Sequence, residues 1–154
     1  MRRKRNYKKD RQPDTVHQSV AIGRFINYLM YDGKKSVAEK NLYKAFEIIE
    51  KKGQNPVEVF EKAIENAMPM MEVVSRRVGG ANYQVPREVR AERKFMLASR
   101  WVIGAARSKK GQPIAKKLAE ELLLASKNEG VAIKKKQDIH RMAEANRAFA
   151  HFSW

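Results

Sequence analysis

The stretch from Met71 to Arg90, MEVVSRRVGGANYQVPREVR, constrains this chain more than any other, because it breaks a helical pattern with the signature of a β-hairpin. Two runs that favour extended backbone flank Gly79 and Gly80, and adjacent glycines reach the positive φ values that tight hairpin turns need. A two-residue turn there sets the register. Val78 then faces Ala81, Arg76 faces Tyr83 and Val74 faces Val85, with Arg77 opposite Asn82 and Ser75 opposite Gln84. One face is mixed apolar and the other polar. A lone two-stranded ribbon is marginal in water, so this one is expected to rest on something outside the chain, and its arginines suggest a polyanion.

Around the ribbon the spacing is helical. Asp14 or Thr15 is expected to cap a helix carrying Ile22, Phe25, Ile26, Leu29 and Met30, which stops near Asp32 and Gly33. Ser36 and Glu39 have capping-box spacing for a second helix, whose Leu42, Ala45, Phe46 and Ile49 face inward as far as Gly53. Asn55, Pro56 and Glu58 start a third, with Phe60, Ala63, Ile64, Ala67 and Met68 on its core side and Pro69 closing it. Beyond the hairpin, Ala91 to Arg107 is apolar on nearly all sides and reads as the central core helix, with Trp101 inside. A fifth helix follows Pro113 with Ile114, Leu118, Ala119, Leu122, Leu123 and Ala125 inward, and Gly130 is expected to end it. Ile139, Met142, Ala143 and Phe149 supply the packing side of a sixth. The fold class is mainly α: a single domain of about six helices, residues 15–154, with a protruding two-stranded hairpin arm at 72–89 and a flexible basic arm at 1–14.

Charge separates scaffold from contact surface. The 154 residues include 33 Lys and Arg against 17 Asp and Glu, a net charge of +16, which implies nucleic acid or another anionic surface as partner. Yet Ser36 to Glu72 holds five basic and seven acidic residues, as an ordinary solvated helical surface does. The excess lies elsewhere. Arg2, Arg3, Lys4, Arg5, Lys8, Lys9 and Arg11 crowd the first eleven residues, which cannot pack and would order on a phosphate backbone, with Tyr7 able to stack on an unpaired base. Lys34 and Lys35 sit in an interhelix turn; Arg90, Arg93 and Lys94 lie beside the hairpin base; Arg107, Lys109, Lys110 and Lys116 surround a later loop. Lys134, Lys135 and Lys136 open the sixth helix, where the helix dipole disfavours cations, so an external phosphate is the expected reason for them.

Other chemistries find little support. The string GKKS invites a phosphate-loop reading, but that motif needs glycine where this chain has Tyr28. There is no cysteine, His17, His140 and His151 lack metal-ligand spacing, and no serine sits in a nucleophile motif, so neither enzyme, metal nor cofactor is expected. No apolar run reaches bilayer length and no signal peptide opens the chain, so no membrane partner and a cytosolic location are expected. An architectural DNA-binding protein also uses basic ribbons, but it inserts an apolar wedge, and this tip is Gly-Gly with Pro86 at its base.

Four separated motifs carry a resemblance: RRVGGANYQVP, DGKKS, GAARSKKGQP and HRMAEANRAFAH. In this order, and over essentially the whole length, they are similar to the family of the seventh small-subunit ribosomal protein, in its bacterial or organellar form. The resemblance implies six helices with a β-ribbon arm and direct binding of the 3′ major domain of small-subunit ribosomal RNA. It also implies a part in nucleating assembly of the head, beside other ribosomal proteins of the head and platform and near the exit-site transfer RNA and the messenger RNA exit path. Carried over by position, Arg2 to Arg11, Lys34, Lys35, Arg76, Arg77 and the segment from Arg107 to Lys116 resemble ribosomal RNA contacts. Gly79, Gly80, Tyr83 and Arg141 resemble the side that faces transfer RNA. Family members often have proline where this chain has Ala91, and often end in tyrosine, arginine, tryptophan where it has Phe152, Ser153 and Trp154.

Overall fold

A computed structural model describes residues 12–152. The expected contacts from Arg2 to Arg11, together with Ser153 and Trp154, lie outside these residues. In chain order the elements are α1 (Val20–Leu29), α2 (Lys35–Glu50), α3 (Pro56–Ala67), β1 (Met71–Val78), β2 (Ala81–Glu88), α4 (Ala91–Ser108), α5 (Ile114–Ser126) and α6 (Val131–Ala145), followed by a short 3-10 segment, Arg147–Phe152. The class is mainly α with a hairpin arm, as expected from the spacing.

The core forms where helical stripes of large residues meet alanines. Phe25, Phe60, Leu42, Leu118, Leu122 and Val102 are fully buried, and Phe60 meets Phe25 and Phe46 edge-on with ring centroids 5.2 and 6.0 Å apart. Ala45, Ala63, Ala67, Ala98, Ala106, Ala119 and Ala125 are equally buried, and side chains this small let helix axes approach closely. Each large core side chain contributes roughly 1.5 to 3 kcal/mol by leaving water. The central position expected for α4 is shared with α5, which packs on α2, α3 and α4. Trp101 is only half-buried at the edge of that core, and Met142, expected to pack inward, is 50% exposed on α6.

Helix starts show where local signals were overridden. Asn55 caps α3 as expected, accepting from Val57 N at 3.1 Å while its amide donates to Glu58 at 3.0 Å. Ser36 caps nothing, because α2 already begins at Lys35 with Lys34 at the cap position. Asp14 does not cap α1 either. It is buried, accepting from Val16 N, His17 N and, at 2.6 Å, the Tyr43 hydroxyl, so the last residue assigned to the flexible arm is tied to α2. Gly130 begins α6 rather than ending α5, whose left-handed exit is Asn128. At Gly130, with φ +94°, an added Cβ would lie 2.9 Å from Glu121 Oε1. That oxygen accepts from Ala132 N at 3.0 Å, so a buried glutamate of α5 caps α6.

The hairpin has the expected register at all five pairs named, extending to Met71 opposite Glu88. Its turn is Gly79 and Gly80, at φ +57° and +92°. One expectation is corrected. The ribbon rests largely on its own chain: α6 packs against both strands, the 3-10 segment packs against β2, and Val85 is buried between them. The tip, from Gly79 to Asn82, is exposed.

Candidate nucleic-acid interface

Strand alternation decides which way the ribbon's arginines face. Arg76 shares the inner face with Tyr83 and Val74 and is half-buried, whereas Arg77, opposite Asn82, is exposed on the outer face. The two neighbours therefore point to opposite sides. Tyr83 is half-buried beneath the C-terminal segment, its ring 5.2 Å from both Phe149 and Phe152. This cluster packs the C-terminal segment against β2, and Gly79 and Gly80 stay exposed at the turn.

At the ribbon's root, Glu72 is buried directly opposite Arg87. It accepts from Arg87 Nε at 2.8 Å and from Arg93 Nε at 2.7 Å, and Arg87 Nη2 lies 2.6 Å away. Burial pushes the Glu72 carboxyl up, but the hydrogen bonds and charges of Arg93 and Arg87 outweigh it and hold the carboxyl below its usual range. Arg87, Arg90 and Arg93 thus share one cleft with Glu72 and Glu88. Arg90 was read from the sequence as lying beside the hairpin base, whereas Arg87 was not singled out, although the hairpin register placed it across from Glu72. Lys94 is half-buried one residue further along α4. The α4 start is regular with Ala91 in first position, since the N–H groups of Arg93 and Lys94 both donate to Arg90 O at 2.9 Å.

The far end of α4 meets the α1–α2 turn. Arg107 Nη2 donates to Leu29 O at 3.0 Å, which satisfies a free carbonyl at the end of α1 and fixes the guanidinium beside Lys34. Lys35 lies 3.7 Å from Glu39 on the next turn of its own helix. Lys109 faces inward: its Nζ is 3.2 Å from Oε2 of fully buried Glu121, an ion pair without hydrogen-bond alignment, and 3.7 Å from Glu120. Lys110 and Lys116 are exposed on either side of Pro113. Arg24, missed in the sequence, lies over the Phe95 ring with its guanidinium carbon 4.3 Å from the centroid.

Within the lysine triplet of α6 the roles diverge. Lys134 and Lys135 are exposed, but Lys136 donates to Asn66 O at 2.7 Å and so caps the last turn of α3. Its partial burial lowers its pKa. Asn66 in turn donates to Ala125 O and Ser126 O, both at 3.0 Å, which ties the ends of α3 and α5 to the second turn of α6. His140 Nε2 accepts from Met70 N at 3.1 Å and ties α6 to the hairpin root; burial, then the Lys136 charge, lowers its pKa. Arg141 is almost fully solvated, 4.0 Å from Asp138.

The described surface is thus a set of separated cationic projections, several braced from inside by carboxylates and helix-end carbonyls. Among the described residues no group of three metal-ligating side chains occurs, and no helix is long and apolar enough to cross a membrane. A family model for ribosomal protein S7p/S5e matches residues 1–147. The chain belongs to this family. It is 56% identical to the small ribosomal subunit proteins uS7 of Thermotoga maritima and of Thermosipho africanus, in each case over the whole of both chains. It is 53% identical to that of Caldanaerobacter subterraneus subsp. tengcongensis over 96% of this chain and 95% of the relative. These bacterial relatives bear out the bacterial type. As an S7-family member it is a structural, RNA-binding ribosomal protein and not an enzyme.

Proposed function

We propose that this protein, a structural constituent of the small ribosomal subunit in the cytoplasmic ribosome, binds the 3′ major domain of the small-subunit ribosomal RNA directly and nucleates folding of the head around it. The contacts would be Lys34, Lys35, Arg76, Arg77, Arg93, Lys94, Arg107, Lys109, Lys110, Lys116 and the triplet Lys134, Lys135 and Lys136, with Arg2 to Arg11 joining them. The hairpin tip at Gly79 and Gly80, Tyr83 behind it, and Arg141 would lie toward the exit-site transfer RNA and the messenger RNA exit path. Neighbouring ribosomal proteins of the head and platform would pack beside them.

The observation that carries this reading is the bracing of cations. Arg107 on Leu29 O and Arg93 on Glu72 are oriented before any ligand arrives. Preoriented guanidiniums match phosphate oxygens with less ordering cost than free side chains, so a fixed pattern of cations selects a fixed pattern of phosphates. Such a protein positions RNA and performs no chemistry. Specificity would come from shape, 2′-hydroxyls and unpaired bases, because the deep major groove of A-form RNA is hard to read.

The test is binding to a 3′ major domain transcript, an equal-length scrambled structured RNA and duplex DNA across a salt series. Preference for the cognate transcript that survives rising salt is the expected result. Equal and steeply salt-sensitive binding to all three would leave charge alone as the driving force and overturn the assignment of a primary binding site.

A further inference from the structure

We propose that the groove between Tyr31, Val37 and Arg107 seats a single unpaired nucleobase, stacked on the Tyr31 ring. This rests on the RNA-binding reading above and goes beyond it, since the turn was there assigned only phosphate contacts.

The backbone builds the seat. Lys34 N donates to Tyr31 O at 3.0 Å, closing a turn whose central residues, Asp32 and Gly33, both have positive φ, +50° and +73°. That turn sets Tyr31 and Lys34 side by side at its two ends. Tyr31 is 70% exposed and stacks on no other ring among the described residues, and Val37, on the first turn of α2, is 52% exposed. Both line one cavity of about 180 Å³, together with Leu29, Asn41, Arg107 and Ile114. A single large apolar side chain in water needs no explanation; an uncovered aromatic and an uncovered valine facing one recess do.

Size and charge select the occupant. A recess of this volume admits one planar ring and is too small for a helix face or an extended peptide. Lys34 and Arg107 stand at its lips, and Arg107 is fixed there by its bond to Leu29 O, with most of its donor fork unused by that bond. Two cations flanking an apolar slot with an aromatic wall match a nucleotide: a π-face for the ring, positive charge for the phosphates on either side. Asp32 is one exposed carboxylate on the turn and does not line the cavity. Asn41 supplies a side-chain donor and an acceptor at the wall, suited to a base edge.

The experiment compares the parent with Tyr31→Ala, Tyr31→Phe and Tyr31→Trp, each titrated with the 3′ major domain transcript over a salt series. Tyr31→Ala is expected to weaken binding about five- to a hundredfold without changing the salt slope, the mark of a missing stack rather than of a phosphate left without its cation. Tyr31→Phe should bind like the parent, and in Tyr31→Trp the added indole emission should be quenched on binding. Because Tyr31 is exposed, all three should melt as the parent does. Parent-like affinity of Tyr31→Ala with no quenching in Tyr31→Trp would overturn the base seat and leave the RNA-binding role standing. A parent that does not prefer the transcript over scrambled RNA would instead remove the reading on which the seat rests. If Tyr31→Ala binds RNA normally but loses assembly with another ribosomal protein, the groove takes a protein and the seat is again overturned.

Discussion

Among the described residues, Glu72, Asp14 and His140 contribute acid sensitivity, and the sign is the same for all three. Burial raises the Glu72 and Asp14 carboxyls, but hydrogen bonds from Arg93 and Arg87, and from Tyr43, His17 and Val16, bring both below their ordinary values of 4.5 and 3.8. Such groups stabilise the fold above the unfolded pKa, and the stabilisation is lost as pH falls through the folded value. His140, lowered from 6.5 by burial and by Lys136, favours the neutral ring that accepts from Met70 N, so its contribution is also present at high pH and lost toward acid, but earlier. Tyr43 runs the other way: burial and the Asp14 hydrogen bond push it from 10.0 up to about 12, so its contribution is full below the lower value and is lost as pH rises between the two. Melting temperature should therefore be flat from about pH 7 to about 9, dip below about 6.5, and fall again below about 4.5. Glu72→Gln should cost about 1 to 3 kcal/mol at neutral pH, and the gap to the parent should narrow in the second acid step. An acid branch identical in both proteins would show that the Glu72 cluster carries no stability.

For the hairpin as an element, nearly everything was legible, because a two-glycine turn fixes the register by itself and alternation then assigns every side chain to a face. The helix ends were less so. Ser36 lost its capping role because the tight turn from Tyr31 to Lys34 delivers the chain into α2 a residue early, and Asp14 gave one oxygen to Tyr43, 29 residues away, and the other to Val16 N and His17 N. Glu121 had no local sign of capping α6, since that role depends on how α5 and α6 meet around Gly130. Tertiary partners of this kind are invisible to spacing. The register makes the arm testable: Arg76→Ala with Arg77→Ala should weaken binding to the 3′ major domain transcript by about tenfold or more and flatten its salt dependence by roughly 0.7 to 0.9 in slope for each phosphate no longer neutralised. Circular dichroism should be unchanged, because neither arginine holds an ion pair with a described residue. Unaltered affinity would remove the ribbon from the RNA-binding surface.

Across the whole molecule, α2 and α3, which carry no positive excess, sit against α5 as scaffold while the excess collects in residues 1–11, the loops, α4 and α6. That division was visible in the sequence as an uneven charge count, but its second layer was not. Cations read as contacts, such as Arg93, Lys109 and Lys136, also have partners inside the fold, which spacing along the chain could not reveal. The same holds for the segment before α1. Gln12 to Asp14 crosses α1 where an added Cβ at Gly23 would lie 3.1 Å from Gln12 O, and Asp14 is anchored to Tyr43, so the described packing at this end begins at residue 12. Residues 1–11 add seven cations to that anchored start. Deleting them should shift the melting temperature by less than about 4 °C, the equivalent of roughly 1 kcal/mol, while lowering affinity for the ribosomal RNA transcript and the steepness of its salt dependence. A large loss of melting temperature would mean that these residues brace the fold, and the boundary between arm and domain would then have to be drawn elsewhere.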